Sequence, residues 1–171
     1  MTPATAASFG PVNTKQVATR ALRFASLDQA LAEAQGLAAA DAQGRVRCLG
    51  NWSLGQALGH LAWWINAGFD GGYPPPAWII RVLGRLMKNA VLNKPPAKGM
   101  RIPGVAGGTY GTDALSTSEG LAQFRAAIAR LKAAPPEKPN PVFGAMTHEE
   151  WTKLHLRHAE GHLGFFEVTE G

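Results

Sequence analysis

A single cysteine, Cys48, is the entire thiol content of this 171-residue chain. That excludes an intramolecular disulfide and suits a reducing compartment. Cys48 is expected to pack as a small hydrophobe, since Arg47 is the only neighbour that could activate it. Charge is sparse as well, at 17% against 46% apolar residues, a balance that excludes a disordered chain and fits one domain with one core. No apolar run approaches the roughly 20 residues that span a bilayer, so no membrane span is expected. Met1 to Gly10 shows no basic stretch leading into an apolar run. With no secretory signal visible, cytoplasm is the expected location. The net charge of +5 permits weak attraction to polyanions, but the basic residues read as scattered and form no nucleic-acid-binding motif. No nucleic-acid partner is expected.

Period-two alternation is nearly absent too, which leaves little room for a sheet. What the chain has in abundance is helix punctuation. Ser26-Leu27-Asp28-Gln29 reads as a capping box, opening an Ala/Leu-rich helix that fades near Gln43-Gly44. Ser53-Leu54-Gly55-Gln56 repeats the signature for a helix ending near Gly71-Gly72. Pro74, Pro75 and Pro76 then pre-set a helix from Ala77 to Asn93, which Pro95 and Pro96 stop. Ser116–Glu119 opens a fourth helix reaching Ala133, and Thr147–Glu150 a last one reaching Phe166. Arg101–Gly111 is too glycine-rich for regular structure and should be a long loop, while Arg45–Leu49 is a short extended candidate. The pattern predicts an all-α fold. Its first, second, fourth and fifth helices form a four-helix bundle, with the 77–93 helix inserted and a long Gly/Pro-rich loop behind it. Residues 1–18 read as a flexible N-terminal segment and 19–171 as the bundle domain.

Four of the five histidines lie between His148 and His162. His158 and His162 stand one helical turn apart, about 40° around the axis, and His155 falls within about 60° of both. Trp151 shares their direction, and Leu154 and Phe165 extend the same inward stripe. Burying several imidazoles costs free energy unless each finds a partner, and one metal ion satisfies several at once. The spacing alone does not decide this, because surface pairs at four residues also occur without a metal. His60, in the second helix, is a third candidate ligand or else a core histidine bonded to a carbonyl. Gln56 and Trp64 flank a pocket in either case. Metalloprotease chemistry would require Glu directly after the first His. Here Ala159 follows His158, and Glu160 points to the opposite face. His155 is expected behind the ligands as a donor or proton carrier, and His148 as a solvated surface residue.

Two stretches carry a family resemblance. Asn51-Trp52-Ser53-Leu54-Gly55-Gln56-Ala57-Leu58-Gly59-His60-Leu61 resembles the second-helix motif of the DinB-like superfamily. Pro141 to Trp151, continuing through Arg157-His158-Ala159-Glu160-Gly161-His162-Leu163, resembles its closing helix. The match is to a bacterial branch of unassigned function. The resemblance implies a four-helix bundle with a divalent metal, Zn²⁺ or Ni²⁺, held by His60, His158 and His162. It also implies a small-molecule substrate, since some relatives join a low-molecular-weight thiol to an electrophile and others were proposed as hydrolases. Relatives often pair, so a homodimer is an open expectation. Gly161 and Gly164 depart from the usual pattern, while the three ligand positions are intact.

Three functional readings follow. The first is a metal-dependent transferase or hydrolase with Gln56, Trp64, Trp151 and His155 around the ligands. The second is a non-catalytic metal or small-ligand binding protein. The third rests on the 77–93 helix, where Ile79, Val82, Leu83, Leu86 and Ala90 share one face and Arg81, Arg85 and Lys88 mark another. Such a helix ordinarily packs its apolar face on its own domain, but it can lie on an anionic membrane. Between its two proline-rich hinges it could also serve as a lid.

Overall fold

The computed structural model describes residues 11–102 and 105–170. The first ten positions of the expected N-terminal segment therefore lie outside the described residues. The elements run α1 (Leu27–Asp41), β1 (Val46–Cys48), α2 (Leu54–Asp70), α3 (Trp78–Leu92), a 3₁₀ turn (Ala106–Gly108), α4 (Thr117–Ala133), α5 (His148–Leu163) and β2 (Phe166–Val168). The fold is all-α apart from the two short strands. Helices α1, α2, α4 and α5 enclose one core, and α3 lies outside it against α5.

Each bundle helix buries a stripe at spacings of three and four. Leu27, Ala30, Ala34 and Leu37 supply it on α1, and Leu54, Leu58, Leu61 and Ile65 on α2. Phe124, Ile128 and Leu131 face them from α4, with Leu156, Ala159 and Leu163 from α5. Serine or threonine caps all four starts. Ser116 with Glu119 and Thr147 with Glu150 make complete capping boxes. Ser26 and Ser53 accept the expected backbone N–H, but their glutamines turn elsewhere: Gln29 to the Ala25 N–H and Gln56 to the Thr112 carbonyl.

Helices α2 and α4 come closest. A Cβ on Gly120 would stand 2.3 Å from the Gly55 carbonyl oxygen, and one on Gly55 would stand 2.3 Å from that of Leu115. Only glycine lets these two backbones touch.

Four expectations need correction. Helix α5 stops at Leu163 rather than Phe166. The chain turns at Gly164, where a Cβ would meet the Arg20 carbonyl at 2.7 Å, and Phe166 opens a strand that the sequence did not signal. That strand pairs antiparallel with β1, setting Cys48 opposite Phe166 and Val46 opposite Val168. The long loop contains one short 3₁₀ turn, kinked at Gly107, whose positive φ is non-helical and favours glycine. Cys48 is exposed on the small sheet rather than packed. Finally, α3 turns its apolar face away from the bundle, because its small and polar positions, Gly84 and Lys88, are the ones that meet the domain. Among the described residues no helix is long and apolar enough to cross a membrane.

Candidate metal centre

Helix α2 brings His60 to the flank of α5 that carries His158 and His162. The three rings meet there, with centroids 5.0 Å (His60–His158), 4.6 Å (His60–His162) and 4.7 Å (His158–His162) apart. One nitrogen from each lies within 4.8 Å of the others. On α5 the two histidines are distinct from the core residues Leu156, Ala159 and Leu163, while His60 on α2 is itself fully buried.

His60 is 2% exposed, and its Nδ1 lies 2.8 Å from the Tyr110 carbonyl oxygen. A carbonyl can only accept, so Nδ1 carries the proton and Nε2 offers its lone pair. That Nε2 stands 3.2 Å from Nε2 of His158. Two nitrogens on one tetrahedral ion, each at about 2.0–2.1 Å from it, are roughly 3.4 Å apart. The pair therefore has ligand spacing, which is also that of an N–H···N hydrogen bond. The widest separation in the group, 4.8 Å, exceeds this, so a shared ion requires the outermost ring to turn inward.

Burial keeps all three rings neutral. It pushes His60 down to about 4, against the smaller opposing effect of the Tyr110 carbonyl. It pushes His162 down to about 3, with His60 adding to the effect. His158 lies well below the ordinary histidine value through burial and its three histidine neighbours. Neutral imidazole is the form that binds metal. The donor set, with one tautomer already fixed by a second hydrogen bond, fits a borderline divalent ion such as Zn²⁺ or Ni²⁺.

Aromatic rings wall the cluster. Trp52 stacks on His162 at 5.3 Å and 4°, and leans on His60 at 4.8 Å. Trp64 presents its edge to His60 and His158, at 6.1 and 6.0 Å. Its Nε1 is buried with no hydrogen-bond partner among the described residues. Tyr73 lies against Trp64 at 5.3 Å and donates to its backbone carbonyl.

The other sequence-derived candidates take varied places. Gln56 donates to the Thr112 carbonyl at 2.8 Å and so anchors the loop carrying the Tyr110 carbonyl. Trp151 is a core residue, stacked on His155 at 6.0 Å and on Tyr73 at 6.4 Å. His155 is buried and stays outside the three-nitrogen group, with Nε2 unpartnered and burial pushing it down to about 3. His148 is not a solvated surface residue: it is half-buried and its Nε2 bonds the Leu131 carbonyl, tying α5 to the end of α4. Glu160 lies away from the cluster, buried against Arg157 at 2.7 Å and accepting the Phe24 N–H at 2.6 Å. Although Cys48 is exposed, partial desolvation of its thiol by the surrounding chain, with the nearby Asp41, raises it, the reverse of nucleophile activation.

Sequence reasoning missed Trp52, Tyr73 and the Tyr110 carbonyl. Trp52 precedes the α2 cap, where helical periodicity says nothing about direction. Tyr110 acts through its backbone, which leaves no mark in residue type. Trp63, stacked on Tyr110 at 5.4 Å, shows the loop course only once coordinates exist.

Fold and site together define a helical bundle with converging, neutral imidazoles from two helices on its flank. The chain belongs to the family described as protein of unknown function DUF1569, which it matches over residues 16–169. No curated protein and no solved structure matches it.

Proposed function

We propose that His60, His158 and His162 bind one divalent ion, Zn²⁺ or Ni²⁺, and that this DUF1569 chain is a branch of the DinB-like superfamily. The observation that carries the reading is the meeting of three neutral ring nitrogens within 4.8 Å, contributed by helices distant in sequence. The quoted α2 and α5 motifs support the superfamily assignment, since both contain the proposed ligands.

On this reading the protein is a metal-dependent transferase joining a low-molecular-weight thiol to an electrophile, or a hydrolase. The ion supplies Lewis acidity that favours the anion of a thiol or water near neutral pH. The chain's own residues hold and shield the site. Tyr110 fixes the His60 tautomer, Gln56 anchors the Tyr110 loop, and Trp52 and Trp64 pack against the rings. One observation favours a second reading, a non-catalytic metal or small-ligand binder. Among the described residues the group contains no carboxylate or thiol to move a proton.

Elemental analysis after repletion with Zn²⁺ or Ni²⁺ separates metal binding from packing. About one ion per chain is expected, falling below about 0.2 in His158→Ala. Equal metal content in both proteins contradicts the site. Thiol consumption against an electrophile panel then tests the reaction; a rate unchanged by His158→Ala leaves only the binding role.

A further inference from the structure

Helix α3 is built inside out. Gly84, Lys88 and Leu92, spaced by four, make its contact with the domain. A Cβ on Gly84 would meet Val142 at 2.4 Å, Lys88 pairs with Glu150 at 2.7 Å, and Leu92 is buried. At about 100° per residue the opposite side presents Trp78, Ile79, Val82, Leu83, Leu86 and Met87. All six are exposed, Trp78 at 74% and Leu86 at 78%. A contiguous apolar face of this kind marks an interaction surface.

The charge around it says what kind. Residues 71–112 hold six of the chain's 17 basic residues (Arg81, Arg85, Lys88, Lys94, Lys98 and Arg101) and none of its 12 acidic ones. This stretch therefore carries +6 where the chain total is +5, and the remainder of the protein is −1. The basic residues that read as scattered are thus enriched along the sequence stretch that contains α3, with Arg81, Arg85 and Lys88 on the helix itself. By the same helical angle Arg85 stands beside Trp78 at the edge of that face, and Arg81, one turn earlier, falls on the contact side of the helix but is exposed. A second copy docking through α3 would bring Arg81 and Arg85 of both copies to one seam, with Lys88 already paired to Glu150. An anionic lipid surface complements both features: its acyl boundary takes the apolar face, and its headgroups take the basic margin.

We propose that α3 seats this protein on anionic bilayers, lying in the interface with Trp78, Leu83 and Leu86 inserted and Arg81 and Arg85 at the headgroups. This does not depend on the metal reading. The polar contacts of Lys88 hold α3 to α5 from behind, so the helix docks as a preformed element and brings the bundle with it.

Vesicle cosedimentation with the full chain tests the proposal, comparing pure phosphatidylcholine with the same lipid containing about 30% phosphatidylglycerol. The wild-type protein is expected to pellet with the anionic vesicles and to be released by high salt. Arg81→Gln with Arg85→Gln should weaken binding about thirtyfold, roughly fivefold for each charge. Leu83→Glu with Leu86→Glu should abolish it. These side chains project from the domain, so far-UV circular dichroism and metal content serve as controls and should not change. Failure to pellet, or equal pelleting with both lipids regardless of the variants, overturns the proposal. So does light scattering that finds a dimer which the Leu83/Leu86 variant splits, since a second copy would then cover the face.

Discussion

His60 shows how one side chain can be prepared for its role by its surroundings. Burial strips its charge, and the Tyr110 carbonyl decides which nitrogen keeps the hydrogen. The same burial holds His155 and His162 at about 3. These values lie below those of the unfolded chain, near 6.5. Between about 6.5 and about 4 the unfolded state therefore binds more protons, and metal-free protein loses stability as the pH falls through that window. Thermal unfolding in a chelating buffer should show Tm dropping from pH 7 to pH 5. A flat profile would mean the histidines titrate normally and are not buried neutral. At this scale only part of the site was readable from residue type and spacing. The ligand candidates were legible because imidazoles are rare and helical spacing fixes their relative angle. Trp52, whose ring stacks on His162, was not, because its position before a helix cap has no periodic direction.

The starts of the bundle helices were legible almost to the residue, because serine and threonine caps satisfy backbone hydrogen bonding locally; the end of α5, which no proline stops, came three residues before Phe166. What local signals do not encode is how elements approach one another. Gly161 and Gly164 look like departures from a family pattern. In space, Gly161 lies under Pro96, whose Cγ would be 2.9 Å from an added Cβ, and Gly164 lies under Arg20. Gly55 and Gly120 likewise mark where α2 meets α4. Gly120→Ala is expected to cost about 1–3 kcal/mol, because backbone on the facing helix cannot move aside as a side chain can. Gly36→Ala, with nothing within 4 Å and a helical backbone, should instead stabilise by about 0.5–1 kcal/mol. Denaturant unfolding of both variants provides the comparison; equal effects would show that α2 and α4 are not in backbone contact. The outward face of α3 was also beyond local reading, since its periodicity is the same whichever way the helix is turned.

For the whole molecule, the small sheet and the strap at Arg20–Phe24 close the bundle at the α5 end. Arg20 donates to the Phe166 carbonyl at 2.6 Å, and Arg157 with Glu160 grips both backbone groups of Phe24. This ties the C-terminal end of α5 to the strap, which Arg20 in turn joins to Glu33 on α1. The bundle architecture was foreseeable from helix number and amphipathicity. The closure was not, because it depends on pairing between residues over a hundred positions apart. X-ray absorption on the zinc- or nickel-repleted protein tests the shared ion most directly. A shell with about three imidazole nitrogens near 2.0–2.1 Å is expected for Zn²⁺, reduced in each of His60→Ala, His158→Ala and His162→Ala. A shell of oxygen alone, or one that survives all three substitutions unchanged, would contradict the account.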